Sequence, residues 1–109
     1  MRSKQKACRE VGIEPFDHNL SAETGPEDLL ALVEELNEDD AVTGILVQLP
    51  LPDQIDEDHI IRSINPIKDV DGFHPFNAGH LFQGSPTFVA ATPAGIMEIL
   101  REYQVELKG

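Results

Sequence analysis

At 109 residues the chain has room for one small domain with a modest core. Its 20 Asp and Glu against 8 Lys and Arg give a formal net charge of −12, which removes the basic footprint that nucleic acids and anionic membranes require. The lone Cys8 makes no internal disulfide and no cysteine-based zinc site. No apolar run nears the ~20 residues of a membrane span, and MRSKQKACRE lacks a hydrophobic signal region, so a cytoplasmic chain with an acidic surface is expected.

The first predicted element is a helix at or near Met1. Ala7, Cys8 and Val11 form its apolar face, and Gly12 ends it. A weak strand follows from Ile13 to about Leu20, demoted by Pro15, which cannot donate to a ladder. The second helix carries Leu29, Leu32, Val33 and Leu36 at i, i+3, i+4 and i+7. Thr24 is its expected cap, with Pro26 in the first turn and Glu27 reaching back. Thr43 to Leu49 reads as a stronger, buried strand. Ile60, Ile61 and Ile64 give a short helix that must stop before Pro66. A last helix buries Ile96, Ile99, Leu100 and Tyr103, with Thr92 as cap and Pro93 at its first position. This order predicts an α/β layer with parallel pairing, the two strands joined by a right-handed crossover. Both ends read as cut edges, as in an interior piece of a longer protein.

Three places hold residues suited to chemistry. Lys4 continues the apolar face of the first helix, at i, i+3, i+4 and i+7 with Ala7, Cys8 and Val11. On such a face a lysine is either partly desolvated, which readies it for proton transfer, or snorkels at the helix edge. Gln48 ends the buried strand just before Leu49-Pro50-Leu51-Pro52. Ligands gather beyond the carboxyl ends of strands in α/β sheets, so its amide either orients a ligand and a catalytic group or satisfies loop backbone. In NPIKDVDGFHPFNAGHL, Asn65 to Leu81, Asp71-Gly72 is a turn signal. Asp69 and Asp71 form an acid–base or metal-binding pair, or one of them takes an amidine-like edge through two charge-assisted hydrogen bonds, or both only shape the turn. The later ligands of a calcium loop are missing. His18, His59, His74 and His80 show no metal-binding spacing. No Walker loop or GxGxxG is present.

Taken together, KQKACREVGI, GILVQLPLP, INPIKDVDGFHPFNAGHL and ATPAGIMEIL resemble, in order and spacing, the catalytic domain of the bifunctional methylenetetrahydrofolate dehydrogenase/methenyltetrahydrofolate cyclohydrolase family. The likeness runs through nearly the whole chain, and VQLPLP with KDVDGF carries most of its specificity. It implies a three-layer α/β domain with a mostly parallel sheet. Residues 1–109 would be part of that domain, without its first strand and without the Rossmann domain that follows. It implies oxidation of 5,10-methylenetetrahydrofolate by NADP, then hydrolysis of the methenyl product to 10-formyltetrahydrofolate, with no metal. Lys4 matches the catalytic lysine that ends a Tyr-x-x-x-Lys motif, whose tyrosine would fall one residue before Met1. Gln48 matches the glutamine that hydrogen-bonds this lysine and contacts substrate. Asp71 matches the carboxylate that holds the pterin's amino-pyrimidine edge. Ala91 stands where many members have cysteine, a position without a catalytic role.

The expected partner is therefore a folate, with NADP held by residues elsewhere. Family dimers form through the nucleotide domain, so dimerisation does not carry over to this chain. Alone, the chain is expected to transfer no hydride and to hydrolyse the methenyl compound weakly or not at all. The alternatives are a folate-binding or interaction module without turnover, and a non-functional truncated remnant.

Overall fold

In the computed structural model the chain is described from Arg2 to Lys108; Met1, where the first helix was expected to begin, and Gly109 lie outside the described residues. Five helices appear in chain order: α1 (Arg2–Glu10), α2 (Pro26–Glu38), α3 (Glu57–Ser63), α4 (Pro75–Phe82) and α5 (Ala91–Glu102).

The core is the part that apolar spacing marks most clearly. Leu29 and Val33 of α2, Ile60 of α3, and Ile45, Ile55 and Ile64 are buried together. Leu30, Leu36, Val42, Val47 and Leu51 pack around them. Burying such side chains stabilises by about 1.5–3 kcal/mol each, and this cluster holds α2 against α3. The other helices add little to it. Neither α1 nor α5 has a buried residue, and α4 buries only Asn77. The faces read as apolar in α1 and α5 are largely exposed: Val11, Ile96, Ile99 and Tyr103 all lie on the surface. Spacing locates a face but not what covers it.

Helix ends are set by local chemistry. Gly12 (φ 83) reverses the chain after α1, and Ile13 N–H reaches back to Cys8 O at 2.8 Å. The expected Thr24 cap is corrected to Gly25, which makes no side-chain cap bond. Thr24 instead closes a turn, its N–H donating to Ser21 O at 3.0 Å, and Pro26 opens the helix one residue later. In α5 the cap is Ala90 rather than Thr92, so Thr92 and Pro93 both fall in the first turn, where N–H groups lack helical acceptors in any case. Asp56 caps α3 by accepting from Asp58 and His59 N–H.

The expected strands are reduced to one contact. Among the described residues the single β-bridge pairs Ile45 with Asp69 in parallel, supported by Ile45 N–H to Lys68 O at 2.7 Å. The observed parallel pairing therefore runs from Ile45 across α3 to Asp69, not from the Ile13–Leu20 segment to Thr43–Leu49. Ile13 to Leu20 forms no ladder here, and Pro15 lacks the N–H to start one. No helix among the described residues is long and apolar enough to cross a membrane.

The Ile45–Asp69 region is braced by α2. Lys68 Nζ donates to three carbonyls at the end of α2: Leu36 at 2.9 Å, Asn37 at 2.7 Å and Asp39 at 2.8 Å. Asn37 completes the brace, donating to Ser63 O at 2.7 Å and accepting from Asn65 N–H at 2.8 Å. Since α2 has no basic residue in its own last turn, Lys68 supplies the positive charge that a helix C-terminus favours.

Candidate active site

Lys4, Gln48 and Asp71 come from three separate segments, and Lys4 links the other two, by a hydrogen bond to Gln48 and by its charge on Asp71. Lys4 lies on α1, Gln48 follows the buried Ile45, and Asp71 follows the buried Asp69. The parallel Ile45–Asp69 bridge is what brings the last two together. Gln48 lies three residues beyond one bridge partner, Asp71 two beyond the other.

Lys4 Nζ donates to Gln48 Oε1 at 3.0 Å. The Gln48 amide also donates weakly to its neighbour's carbonyl, Leu49 O, at 3.4 Å. Gln48 thus accepts from the Lys4 ammonium and touches loop backbone at the same time. Both side chains are exposed, so of the two alternatives for Lys4 the structure shows the lysine at the helix edge, not the desolvated one. A second polar link, Gln5 Nε2 to Asp17 Oδ2 at 2.6 Å, fastens the same helix to the segment after it.

Asp71 is half-buried. Its carboxyl is raised above its ordinary range, first by burial, then by the negative charge of Asp69; Lys4 opposes both. Lys4 therefore acts electrostatically on Asp71 while bonding Gln48, so the three form one group. Gly72 allows the turn that presents Asp71. Its φ is +71, and a Cβ there would lie 2.7 Å from Phe88 O.

The recess beneath the group, lined by Val47, Leu49, Asp69, Asp71 and Phe73 among others, has a volume of only ≈ 10 Å³. That is room for about one water, not a ligand. A ligand must therefore lie across the open edge, where Phe73 is 48% exposed and offers a ring to cover. A wider depression on the surface, lined by Arg9, Gly12, Ile13, Glu14 and Pro15, includes none of the three residues.

The remaining candidates resolve into structure. Asp69 is buried and bonded to α4, so the two aspartates are not an equivalent pair. His74 caps α4: its Nδ1 accepts from Phe76 N–H at 3.0 Å, and Nε2 lies 3.2 Å from Arg62 O. One neutral tautomer, with the proton on Nε2, satisfies both contacts. His80 packs against Phe76 with tilted rings, centroids 4.5 Å apart. His18 and His59 are exposed. Among the described residues no group of three potential metal ligands forms.

Comparison with known proteins places this geometry. The family profile described as tetrahydrofolate dehydrogenase/cyclohydrolase, catalytic domain, matches residues 1–71, a stretch that contains Lys4, Gln48 and Asp71. The solved structures it resembles are consistent with an α/β catalytic domain, and the chain belongs to the tetrahydrofolate dehydrogenase/cyclohydrolase family. It is 54% identical over 109 residues to the bifunctional protein FolD of Magnetococcus marinus and 58% identical over 106 residues to that of Pelobacter propionicus. These alignments take in 100% and 97% of the chain, but it spans only 38% of the length of either relative. Among solved structures it superposes on the bifunctional FolD enzyme of Campylobacter jejuni with a TM-score of 0.92 at 50% identity, covering 99% of this chain and 39% of that one. On the Trypanosoma brucei methylenetetrahydrofolate dehydrogenase-cyclohydrolase, complexed with NADP cofactor and an inhibitor, the TM-score is 0.93 at 39% identity, covering 99% and 37%.

Proposed function

We propose that residues 1–109 supply the folate-facing part of a methylenetetrahydrofolate dehydrogenase/methenyltetrahydrofolate cyclohydrolase working in one-carbon metabolism in the cytoplasm. The observation that carries this reading is the Lys4–Gln48 hydrogen bond, with Lys4 also acting by its charge on Asp71; these are the three residues that the resemblance singles out. The domain would be three-layered with a mostly parallel sheet, a reading supported by the parallel sense of the isolated Ile45–Asp69 bridge.

Each residue then has a task. Asp71 accepts two N–H hydrogens from the pterin's amino-pyrimidine edge, a charge-assisted and directional contact. In cyclohydrolysis, water adds to the methenyl carbon and its proton passes to the Lys4 amine. N5 then takes the proton held by Lys4 as its bond to that carbon breaks, the added hydroxyl gives its own proton to solvent to become the formyl oxygen, and the formyl group stays on N10. Gln48 Oε1 holds Lys4 by one hydrogen bond, which orients the nitrogen toward the reacting carbon. A folate lying over the edge would exclude water from Lys4, supplying the desolvation that the helix face does not.

NADP, when bound, takes the hydride in the dehydrogenase step. The described residues do not fit it. The first turns of α2 and α3 carry Glu27, Asp28, Glu57 and Asp58, whose charges repel a pyrophosphate, and Pro93 removes one of the free N–H groups at the start of α5. Hydride transfer is therefore assigned to no residue of this chain, and NADP binding to residues outside it.

The test is calorimetric titration with folic acid, which carries the amino-pyrimidine edge. Asp71→Ala is expected to weaken binding by about 10- to 100-fold, the loss of a charged hydrogen-bond acceptor. Equal affinity in the two proteins would remove the folate reading. A second reading, folate binding without turnover, draws on the exposure of Lys4. Folic acid affinity unchanged in Lys4→Met, with no methenyl hydrolysis by either protein, would favour it.

A further inference from the structure

Asp69 is the buried carboxylate that the chemistry above leaves unused. It is 2% exposed, and none of the ion pairs among the described residues involves it. Its Oδ2 instead accepts two neutral donors, His74 N–H and Asn77 Nδ2, each at 2.9 Å. Asn77 is 1% exposed and fully engaged: it also donates to Pro66 O at 3.0 Å and accepts from Thr87 Oγ1 at 2.5 Å. The backbone of Asp69 does further work. Its carbonyl accepts from Gly72 N–H at 3.3 Å, closing the turn that carries Asp71, and the residue pairs with Ile45 on the segment leading to Gln48. Asp69 thus joins the start of α4, the Asp71 turn and the approach to Gln48, and through Asn77 the Thr87 segment.

The hydrogen bonds alone do not call for a charge. An asparagine oxygen could accept both donors, and a buried carboxylate without a cationic partner costs free energy. What an amide could not supply is the effect of the charge on a neighbour.

We propose that Asp69 is a positioning residue for folate recognition that acts through Asp71: its carboxylate fastens the Asp69–Gly72 turn to α4 and sets a second negative charge behind the Asp71 carboxylate. The proposal rests on the reading of Asp71 as the pterin contact. The charged groups acting on Asp71 are Asp69, from its own turn, and Lys4, from α1; the nearby start of α4 is capped by His74, which meets Asp69 through its backbone N–H. Asp69 strengthens the hold of Asp71 on protons, and Lys4 moderates it. A carboxylate with a stronger hold on protons is also a better acceptor for neutral N–H donors such as the pterin edge.

The test is Asp69→Asn in the full chain, with the Asp71 side-chain carbon followed by carbon-13 NMR across pH and without ligand. The expected result is a titration midpoint for Asp71 displaced downward, toward that of an ordinary aspartate, and weaker folic acid binding at pH 7. A purely structural Asp69 would not move that midpoint. A variant that still unfolds cooperatively, yet leaves the Asp71 midpoint where it was, overturns the proposal. Asp71→Asn covers the case in which Asp69→Asn does not fold. Removing a carboxylate held at a cost beside Asp69 is expected to raise the unfolding midpoint at pH 7, and the gain should vanish at pH values where Asp71 is protonated. No gain at pH 7 also overturns the proposal. Equal folic acid affinity in wild type and Asp71→Asn would instead overturn the folate reading, and it is separable because the NMR midpoint is measured without ligand.

Discussion

The Lys4 ammonium donates to Gln48 Oε1 at 3.0 Å, tying together residues 44 apart in the chain. Both side chains are exposed, so water competes for each and the bond adds little to folding. Its value lies in alignment. Lys4→Met is therefore expected to change unfolding free energy by less than about 0.5 kcal/mol. Whatever methenyl hydrolysis the chain supports should fall by about 100-fold or more, the scale of a lost general base. Gln48→Leu should act through the same lysine, so the double variant should be no slower than Lys4→Met alone. Urea unfolding and the decay of methenyltetrahydrofolate absorbance measure the two effects. Multiplying rate losses in the double variant would show that the residues act separately.

Asp71 sets a pH window. Its folded carboxyl is raised, chiefly by burial and then by Asp69. A raised group stabilises the fold in its protonated form: that contribution is complete below the unfolded value and is lost as pH rises through the folded one. Ionised Asp71 is thus held at some cost to stability near neutrality. Folate recognition needs this ionised form, so folic acid affinity should decline on acidification sooner than an ordinary aspartate would allow. Titration calorimetry from pH 7 downward checks this. A decline that begins only in the ordinary aspartate range would show that burial does not govern the contact.

How much of this was legible depends on which signals the chain uses. The faces of α2 and α3 bury leucine, valine and isoleucine at helical spacing, and the sequence reading finds both. The same rule misses α4, because the residue it buries is Asn77 and its cap is a histidine. His74-Pro75 does repeat the pattern of a cap followed by proline with which Gly25-Pro26 opens α2. Spacing put Lys4 in line with Ala7, Cys8 and Val11 but left its surroundings open, and the structure finds it exposed. The strand reading of Thr43 to Leu49 located the buried Ile45 yet named the wrong partner, since alternation along one segment does not say which backbone it pairs with. Spacing alone left several roles open for Gln48 and Asp71; the motif resemblance chose among them, and of what it implies the structure shows the Lys4–Gln48 hydrogen bond. The Asp69–Asn77–Thr87 network had no sequence signal, because it joins side chains that no single period links.

Lys68 carries a second such hidden role. Its three bonds to the end of α2 satisfy carbonyls that a helix leaves free, and the residue is half-buried. Lys68→Met keeps the bulk of the stem and removes the donors. The expected loss is about 1–3 kcal/mol of unfolding free energy. Lys6 is the control: its pair with Glu10 spans 3.8 Å between exposed side chains, and Lys6→Met should cost less than about 0.5 kcal/mol. Equal losses in urea titrations would mean that the brace on α2 is not what holds the segment before Asp69.

Two glycines should respond in opposite directions to the same added methyl group. Gly79 lies inside α4, and a Cβ there meets nothing within 4 Å. Gly79→Ala removes the freedom of glycine in the unfolded chain and should stabilise by about 0.5–1 kcal/mol. Gly72 has φ +71, and its Cβ would lie 2.7 Å from Phe88 O and 3.1 Å from Ala90 N. Both obstacles are backbone atoms, which do not rotate aside as a side-chain tip does. Gly72→Ala should therefore cost at least about 2 kcal/mol, combining left-handed strain with the clash. It should also weaken folic acid binding, because the displaced turn is the one that presents Asp71. Thermal unfolding and calorimetry of both variants test the pair. A Gly72→Ala chain as stable as wild type would show that the turn can move away from the Phe88 segment, and the preorganised placement of Asp71 would fall with it.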